Sequence, residues 1–175
     1  MDWYSAVFEL IDMRSFSNLW YWIALAVVWS TTSHWVIGVP WDMVQRAARH
    51  GGDAERDLED MVRINVNRLF YIANISGLWL VALAAALLTS LVLLGFWYRI
   101  EFAQALFLLA GPLTIVGALS LRSARLIRAG ALTGAPLRKR MHRHRLQTQI
   151  VGMVSVFVTA MWGMYQNMSI GVLGG

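Results

Sequence analysis

The chain has 175 residues, of which 58% are hydrophobic and only 14% charged, and it carries a net charge of +5 with no cysteine. A water-soluble domain of this size is less apolar, so the composition favours an integral membrane protein. Without cysteine, the sequence excludes disulfides, iron–sulfur ligation, thiolate metal sites and thiol nucleophiles.

Residues 1–18 predict a short helix lying on the membrane surface, because Trp3, Val7, Leu10 and Ile11 share one helical face. Acidic residues occupy the opposite face. The segment lacks a basic start and a small-residue cleavage site, so we do not expect a cleavable signal peptide.

Four segments are apolar and long enough to cross a bilayer as helices. A hydrocarbon core of about 30 Å requires about 20 helical residues, and lipid offers no hydrogen-bond partners to an irregular backbone. The predicted spans are 19–39, 70–97, 102–121 and 147–168. Because only four residues, Tyr98 to Glu101, separate the second and third spans, these two must form an antiparallel hairpin. The expected fold is an all-α integral membrane four-helix bundle in a single domain.

Two long connections, 42–69 and 122–146, hold thirteen of the fifteen Lys and Arg residues. Cytoplasmic connections of inner-membrane proteins carry such an excess of positive charge. We therefore predict a multi-pass protein of the bacterial inner membrane, with both connections in the cytoplasm and both termini in the periplasm.

The first connection predicts two helical pieces broken at Gly51-Gly52, with Asp53 as the N-cap of the second. From Ala54 nothing interrupts a helix before the end of the second span, so a long helical extension should project into the cytoplasm. The extension carries an apolar stripe that needs a partner, formed by Leu58, Met61, Val62 and Leu69.

The second connection is strongly basic and contains no Asp or Glu. Such charge attracts anionic lipid headgroups or an acidic protein surface, whereas nucleic acid is not expected because no nucleic-acid-binding motif is present. A voltage sensor is also excluded, since no predicted span contains an acidic counter-charge. The candidate lipid-binding or partner-binding residues are Arg122, Arg125, Arg128, Arg138, Lys139, Arg140, Arg143 and Arg145.

Small residues recur at every fourth position on three spans, which lets membrane helices approach closely. These seams pack inside the bundle or dock a larger partner. Their members are Ala82, Ala86 and Ser90 on the second span, Ala110, Thr114 and Ala118 on the third, and Ser155, Thr159 and Gly163 on the fourth.

A polar stretch, Ser30 to His34, lies in the first span. Its hydroxyl groups either form hydrogen bonds to the preceding helical turn or take part in a functional site. In the second case, Ser30, Thr31, His34 and Asn74 would line a polar cavity or bind a ligand. A haem would require a second histidine at matching depth, for which only His142 and His144 come close. Those two histidines otherwise form a basic turn whose charge rises as the pH falls. We expect no cofactor and no metal.

Several segments together resemble a family of small four-span inner-membrane proteins of alphaproteobacteria, labelled as a component of the Suf iron–sulfur assembly complex. The matching segments are "DMRSFSNLWYWIALAVVWS", "GVPWDMV", "RINVNRLFYI" and "FVTAMWGMYQN". The resemblance implies the fold and the cellular location. It carries no catalytic residue over, and a chain without cysteine has no thiolate for a cluster, so it implies at most a membrane tether.

Three functions follow from these features. The leading hypothesis is a non-enzymatic accessory or assembly subunit of an inner-membrane complex, which docks through its small-residue faces and its basic connection and binds anionic lipid. The alternative is a small homo-oligomeric anion channel, with Ser30, Thr31 and Asn74 lining a shared pore. The third is a haem-binding electron-transfer subunit built around His34.

Overall fold

A computed structural model of the chain describes residues 15–173, so the predicted surface helix at Trp3 to Ile11 lies outside the described residues. About 90% of the structure is helical, which confirms the all-α prediction. The five helices are α1 (Leu19–His34), α2 (Trp41–His50), α3 (Gly52–Val92), α4 (Glu101–Ala129) and α5 (Gly134–Leu173).

Helices α3, α4 and α5 are long and apolar enough to cross a membrane. Helices α4 and α5 contain the predicted third and fourth spans, and α3 contains the predicted second span except for its last five residues. Helix α3 is continuous from the predicted glycine break to Val92 and is followed by a π-helical turn, Leu93–Trp97. The predicted long extension of this helix is therefore present.

The start of α3 differs from the predicted cap. Gly51 occupies the N-cap position, and Asp53 lies in the first turn instead. Gly51 and Gly52 have φ values of 58° and 53°, a backbone conformation that glycine adopts without steric cost. The two glycines thus set the boundary, and Asp53 contributes only its charge near the positive end of the helix dipole.

Helix α1 ends at His34, five residues before the predicted end of the first span. The chain then forms a tight antiparallel hairpin in which Trp35 pairs with Pro40. Its two turn residues, Ile37 and Gly38, have φ values of 55° and 75°, the geometry of a two-residue hairpin turn. Val36, Ile37 and Val39 are buried in the core between the neighbouring helices. These apolar residues therefore form the hairpin and do not extend the first span.

This core lies at the end of the molecule where the basic connection begins, which we call the basic end. It joins the hairpin, α2, the beginnings of α3 and α5, and the end of α4. Its largest fully buried side chains include Leu58 and Val62, from the apolar stripe of α3. The predicted stripe therefore has a partner for most of its length, and that partner is the rest of the chain.

Contacts at the opposite end bring distant segments together. The backbone N–H of Phe16 donates to Glu101 Oε1 at 2.7 Å, and Ser17 Oγ donates to Asn167 Oδ1 at 2.8 Å. The start of α1, the turn between α3 and α4, and the end of α5 therefore lie side by side. Helix α1 packs against α4 and α5 through a cluster built on Leu25, Trp29 and Val116.

Gln104 of α4 connects three elements at this opposite end. Its Nε2 donates to the carbonyl of Gly95 in the π-helical turn at 2.7 Å, and its Oε1 accepts from Trp162 Nε1 and Gln166 Nε2 at 2.9 and 2.7 Å. The side chain is 2% exposed. A buried amide satisfied in this way holds α3, α4 and α5 in a fixed arrangement.

Pro112 lies inside α4 without interrupting the helix. Because proline has no N–H, the carbonyl four residues earlier, that of Leu108, loses its helical partner. Ser155 Oγ of α5 donates to this carbonyl at 3.3 Å. A neighbouring helix therefore supplies the hydrogen bond that the proline removes, as membrane proteins require.

We expect Ser155→Ala to lower the free energy of unfolding by about 1 kcal/mol, as for other hydrogen bonds between membrane helices. The loss should shrink in a Pro112→Ala background, because position 112 then supplies an N–H to Leu108. Thermal unfolding of the four proteins in detergent, followed by tryptophan fluorescence, measures this coupling. An equal loss in both backgrounds would show that Ser155 does not serve the Leu108 carbonyl.

Candidate functional site

Three of the eight basic residues in the second connection contact an acidic or aromatic side chain of another helix. Arg138 forms an ion pair with Glu55 of α3. The Arg128 guanidinium lies 4.6 Å from the centre of the Phe70 ring. Arg145 lies 4.4 Å from the Trp41 ring in the same manner, and such cation–π contacts hold a guanidinium against an aromatic face.

A second acidic residue of α3 fixes the start of α5. Glu59 Oε1 accepts a hydrogen bond from the backbone N–H of Gly134 at 2.7 Å. This carboxylate satisfies one of the unpaired donors at a helix N-terminus, where negative charge is favourable. Glu55 and Glu59 together hold the basic connection against α3.

The other five basic residues lie at or near the surface. Arg122, Arg125, Lys139 and Arg143 are exposed, and Arg140 is half-buried. Arg140 Nη2 donates to Ser123 Oγ of α4 at 3.0 Å. Burial, together with the positive charges of Arg143 and Arg122, lowers the pKa of Arg140. Arg140 thus lies within the electrostatic reach of Arg122 and Arg143, and we call these three residues the arginine cluster.

The arginine cluster has no carboxylate of its own. Within residues 15–173, no ion pair joins any of its members to an Asp or Glu side chain. Five acidic residues near the basic end, namely Asp42, Asp53, Glu55, Glu59 and Asp60, are instead engaged by α5 or by arginines of α2 and α3. Mutual repulsion of like charges therefore remains without an internal counter-charge at this position.

A buried histidine lies behind the arginine cluster. His144 is 2% exposed. Its Nδ1 and Nε2 lie 3.1 and 3.4 Å from the hydroxyls of Ser123 and Ser120. Burial, with a smaller effect of the Arg140 charge, lowers the pKa of His144 to about 4. This side chain is neutral at physiological pH, which corrects the expectation that it gains charge as the pH falls through the ordinary histidine range.

The four residues predicted to line a polar cavity or bind a ligand do not lie in the interior. Ser30, Thr31, His34 and Asn74 are all exposed. Among the described residues, no group of three His, Cys, Asp or Glu side chains is placed to hold a metal ion. Both ring nitrogens of His144 face serine hydroxyls, so a haem iron there would have to displace one of them.

The small-residue seam of α5 is buried inside the molecule. Ser155 and Thr159 are 4% and 0% exposed. At Gly163, a Cβ would lie 3.3 Å from atoms of the Phe16 ring. This seam thus allows the residues before α1 to approach α5 closely.

The other two seams are largely exposed. On α4 only Ala110 is partly covered, and the exposed members are Thr114 and Ala118 of α4 and Ala82, Ala86 and Ser90 of α3. The less exposed positions on this part of α3 are Ala84, Leu88, Leu91 and Gly95. They repeat at helical spacing on the side opposite the Ala82 seam. Only 6% of the most apolar stretch of α3 is buried, against 22% for α4 and 28% for α5.

Comparison with known proteins leaves the chain without an assigned family. No family description, no curated protein and no solved structure matches it. The resemblance to the four-span proteins labelled as Suf components therefore stays a prediction.

Proposed function

We propose that this chain is a non-enzymatic accessory or assembly subunit of a bacterial inner-membrane complex. It crosses the bilayer four times, with α1 as the first span, and docks a partner in the membrane through the small-residue face of α3. The observation that carries the proposal is the exposed small-residue seam of α3, formed by Ala82, Ala86 and Ser90. The seam lies in the most apolar stretch of α3, which is 6% buried, whereas the beginning of α3 is packed into the core at the basic end.

Lipid alone covers an apolar helix well, so exposure by itself is not the reason for a protein partner. The reason is the seam formed by Ala82, Ala86 and Ser90. Its small side chains allow the backbone of another helix to approach closely, which increases packing contacts between helices but not contacts with lipid. The exposed residues Thr114 and Ala118 of α4 offer a second strip of the same kind.

Contacts at the two ends support four crossings. The start of α1 lies beside the end of α5, and the hairpin after α1 lies in the core of the basic end. Helix α1 therefore connects the two ends of the molecule. Its 16 residues are about 24 Å long, which is shorter than a hydrocarbon core of about 30 Å. The positive-inside rule then assigns the basic end to the cytoplasm and both termini to the periplasm.

The test is native purification of the tagged chain from its own membranes, with identification of co-purifying proteins. We expect a partner to accompany the wild type and to be lost, by at least about tenfold, from Ala82→Leu/Ala86→Leu, because the larger side chains separate the helices. Ala85→Leu is the control, since Ala85 is also exposed but lies about 60° around the helix from Ala82 and about 100° from Ala86, away from the line of the seam.

Three results would contradict the proposal. One is a lone monomer without a protein partner after crosslinking in cells. Another is a partner retained equally by all three proteins, which would place the docking face elsewhere. The third is tag accessibility that shows the chain termini on opposite sides of the membrane or both in the cytoplasm.

A further inference from the structure

We propose that the arginine cluster, together with Ser123, is a binding site for a phosphate group at the cytoplasmic membrane surface. The proposal narrows the eight candidate lipid-binding residues to three. It rests on the membrane placement in the proposed function, and it does not depend on a protein partner.

The cluster combines residues of two helices. Arg140 and Arg143 lie three positions apart on α5, so they share one face. Arg122 lies on α4, immediately before Ser123, whose hydroxyl bonds Arg140 at 3.0 Å. The charges of Arg122 and Arg143 both act on Arg140. Arg140 therefore contacts the hydroxyl of the residue next to Arg122, and Arg143 lies about one helical turn further along α5.

The cluster has unused hydrogen-bonding capacity. Arg140 Nε is buried and has no hydrogen-bond partner among the described atoms. The described carboxylates form no ion pair with any of the three arginines. A phosphate group that binds the exposed residues Arg122 and Arg143 would offset the like-charge repulsion, because guanidinium groups match phosphate oxygens in a bidentate geometry.

Three of the remaining basic residues are engaged by acidic or aromatic side chains, although Arg145 Nε, like Arg140 Nε, is buried without a hydrogen-bond partner among the described atoms. Arg138 is paired with Glu55, while Arg128 and Arg145 lie on aromatic rings. His144, the nearest titratable group behind the cluster, faces Ser120 and Ser123 and, being neutral, neither opposes nor assists an anion. The cluster follows the third predicted span and precedes the fourth, at the depth of lipid headgroups.

Native mass spectrometry of the detergent-purified full chain tests the site, with short-chain phosphatidic acid as the probe. Near an anionic group each guanidinium contributes about fivefold in affinity. We therefore expect Arg140→Gln and Arg143→Gln each to weaken binding about fivefold, and Lys139→Gln, the exposed neighbour with the same loss of charge, to weaken it less than twofold. Arg122→Gln is a further variant that leaves the Ser123–His144 contacts intact and should also weaken binding about fivefold.

Addition of inorganic phosphate distinguishes the two sources of the ligand. Competition at millimolar concentration, lost in the same variants, would identify free phosphate as a ligand. Failure of phosphate to compete would identify the lipid headgroup, and either result supports the site. Equal weakening by Lys139→Gln and the cluster variants, or no weakening by any of them, would overturn it. Because no protein partner is added, such a failure is separate from failure of the docking proposal.

Discussion

Replacing Gly95 by alanine is expected to lower the free energy of unfolding by about 2–4 kcal/mol, the cost of overpacking plus a strained hydrogen bond. A Cβ at Gly95 would lie 2.9 Å from the backbone nitrogen of Gln104 and 3.2 Å from its Cα. Backbone atoms cannot rotate away as a side-chain tip can. The π-helical turn must therefore separate from α4, which also disturbs the bond from Gln104 to the Gly95 carbonyl.

Gly77→Ala and Gly117→Ala are the matched controls for this prediction. Both glycines lie in helices, and a Cβ at either position meets nothing within 4 Å. These changes should preserve stability or raise it by up to about 1 kcal/mol, because alanine has the higher helix propensity. Reversible unfolding in mixed micelles measures all three. A Gly95→Ala protein as stable as the controls would show that α3 and α4 do not approach this closely.

Lowering the pH from 7 to 5 is expected to reduce the free energy of unfolding by about 2 kcal/mol through His144 alone. The folded pKa of this side chain is about 4, below the ordinary value of 6.5. Below the ordinary value the unfolded chain binds a proton that the folded chain does not. The contribution of His144 to stability is therefore fully present above pH 6.5 and is lost progressively as the pH falls towards 4.

His144→Gln removes the titrating group and should remove most of this pH dependence, although it also costs some stability at pH 7. His50→Gln, a change at an exposed histidine, is the control for replacing a histidine by glutamine. Unfolding measured between pH 7 and 5 avoids most of the carboxylate titration. Equal slopes for the wild type and His144→Gln would contradict burial of a neutral imidazole at this position.

Much of the helical framework is predictable because it depends on local properties. The break at Gly51-Gly52 and the short turn before Glu101 follow from glycine and from span length. The hairpin after His34 does not, since Val36, Ile37 and Val39 have the hydropathy of a continuing span. Their burial against α2 and α3 decides the outcome, and this tertiary contact has no signature in the local sequence.

The candidate site also combines features that the local sequence predicts with features that depend on tertiary contacts. Counting charges identifies the basic connection, but the ion pair of Arg138 and the ring contacts of Arg128 and Arg145 depend on helices distant in sequence. Ser120 and Ser123 are not predicted as site residues from the sequence, because serine is common near the ends of membrane helices. Their spacing of three residues, which places both hydroxyls on one face of α4, is the signal that indicates a shared partner.

Helix α3 is anchored at its beginning by the core of the basic end and at its close by Gln104, whereas the stretch between is barely covered. The residues of α3 that stabilise the fold are consequently different from the residues on its uncovered surface. If the chain docks a partner as we propose, changes in the uncovered stretch would alter the docking surface and leave the contacts that fold the chain intact, so new associations could evolve there at little cost to stability.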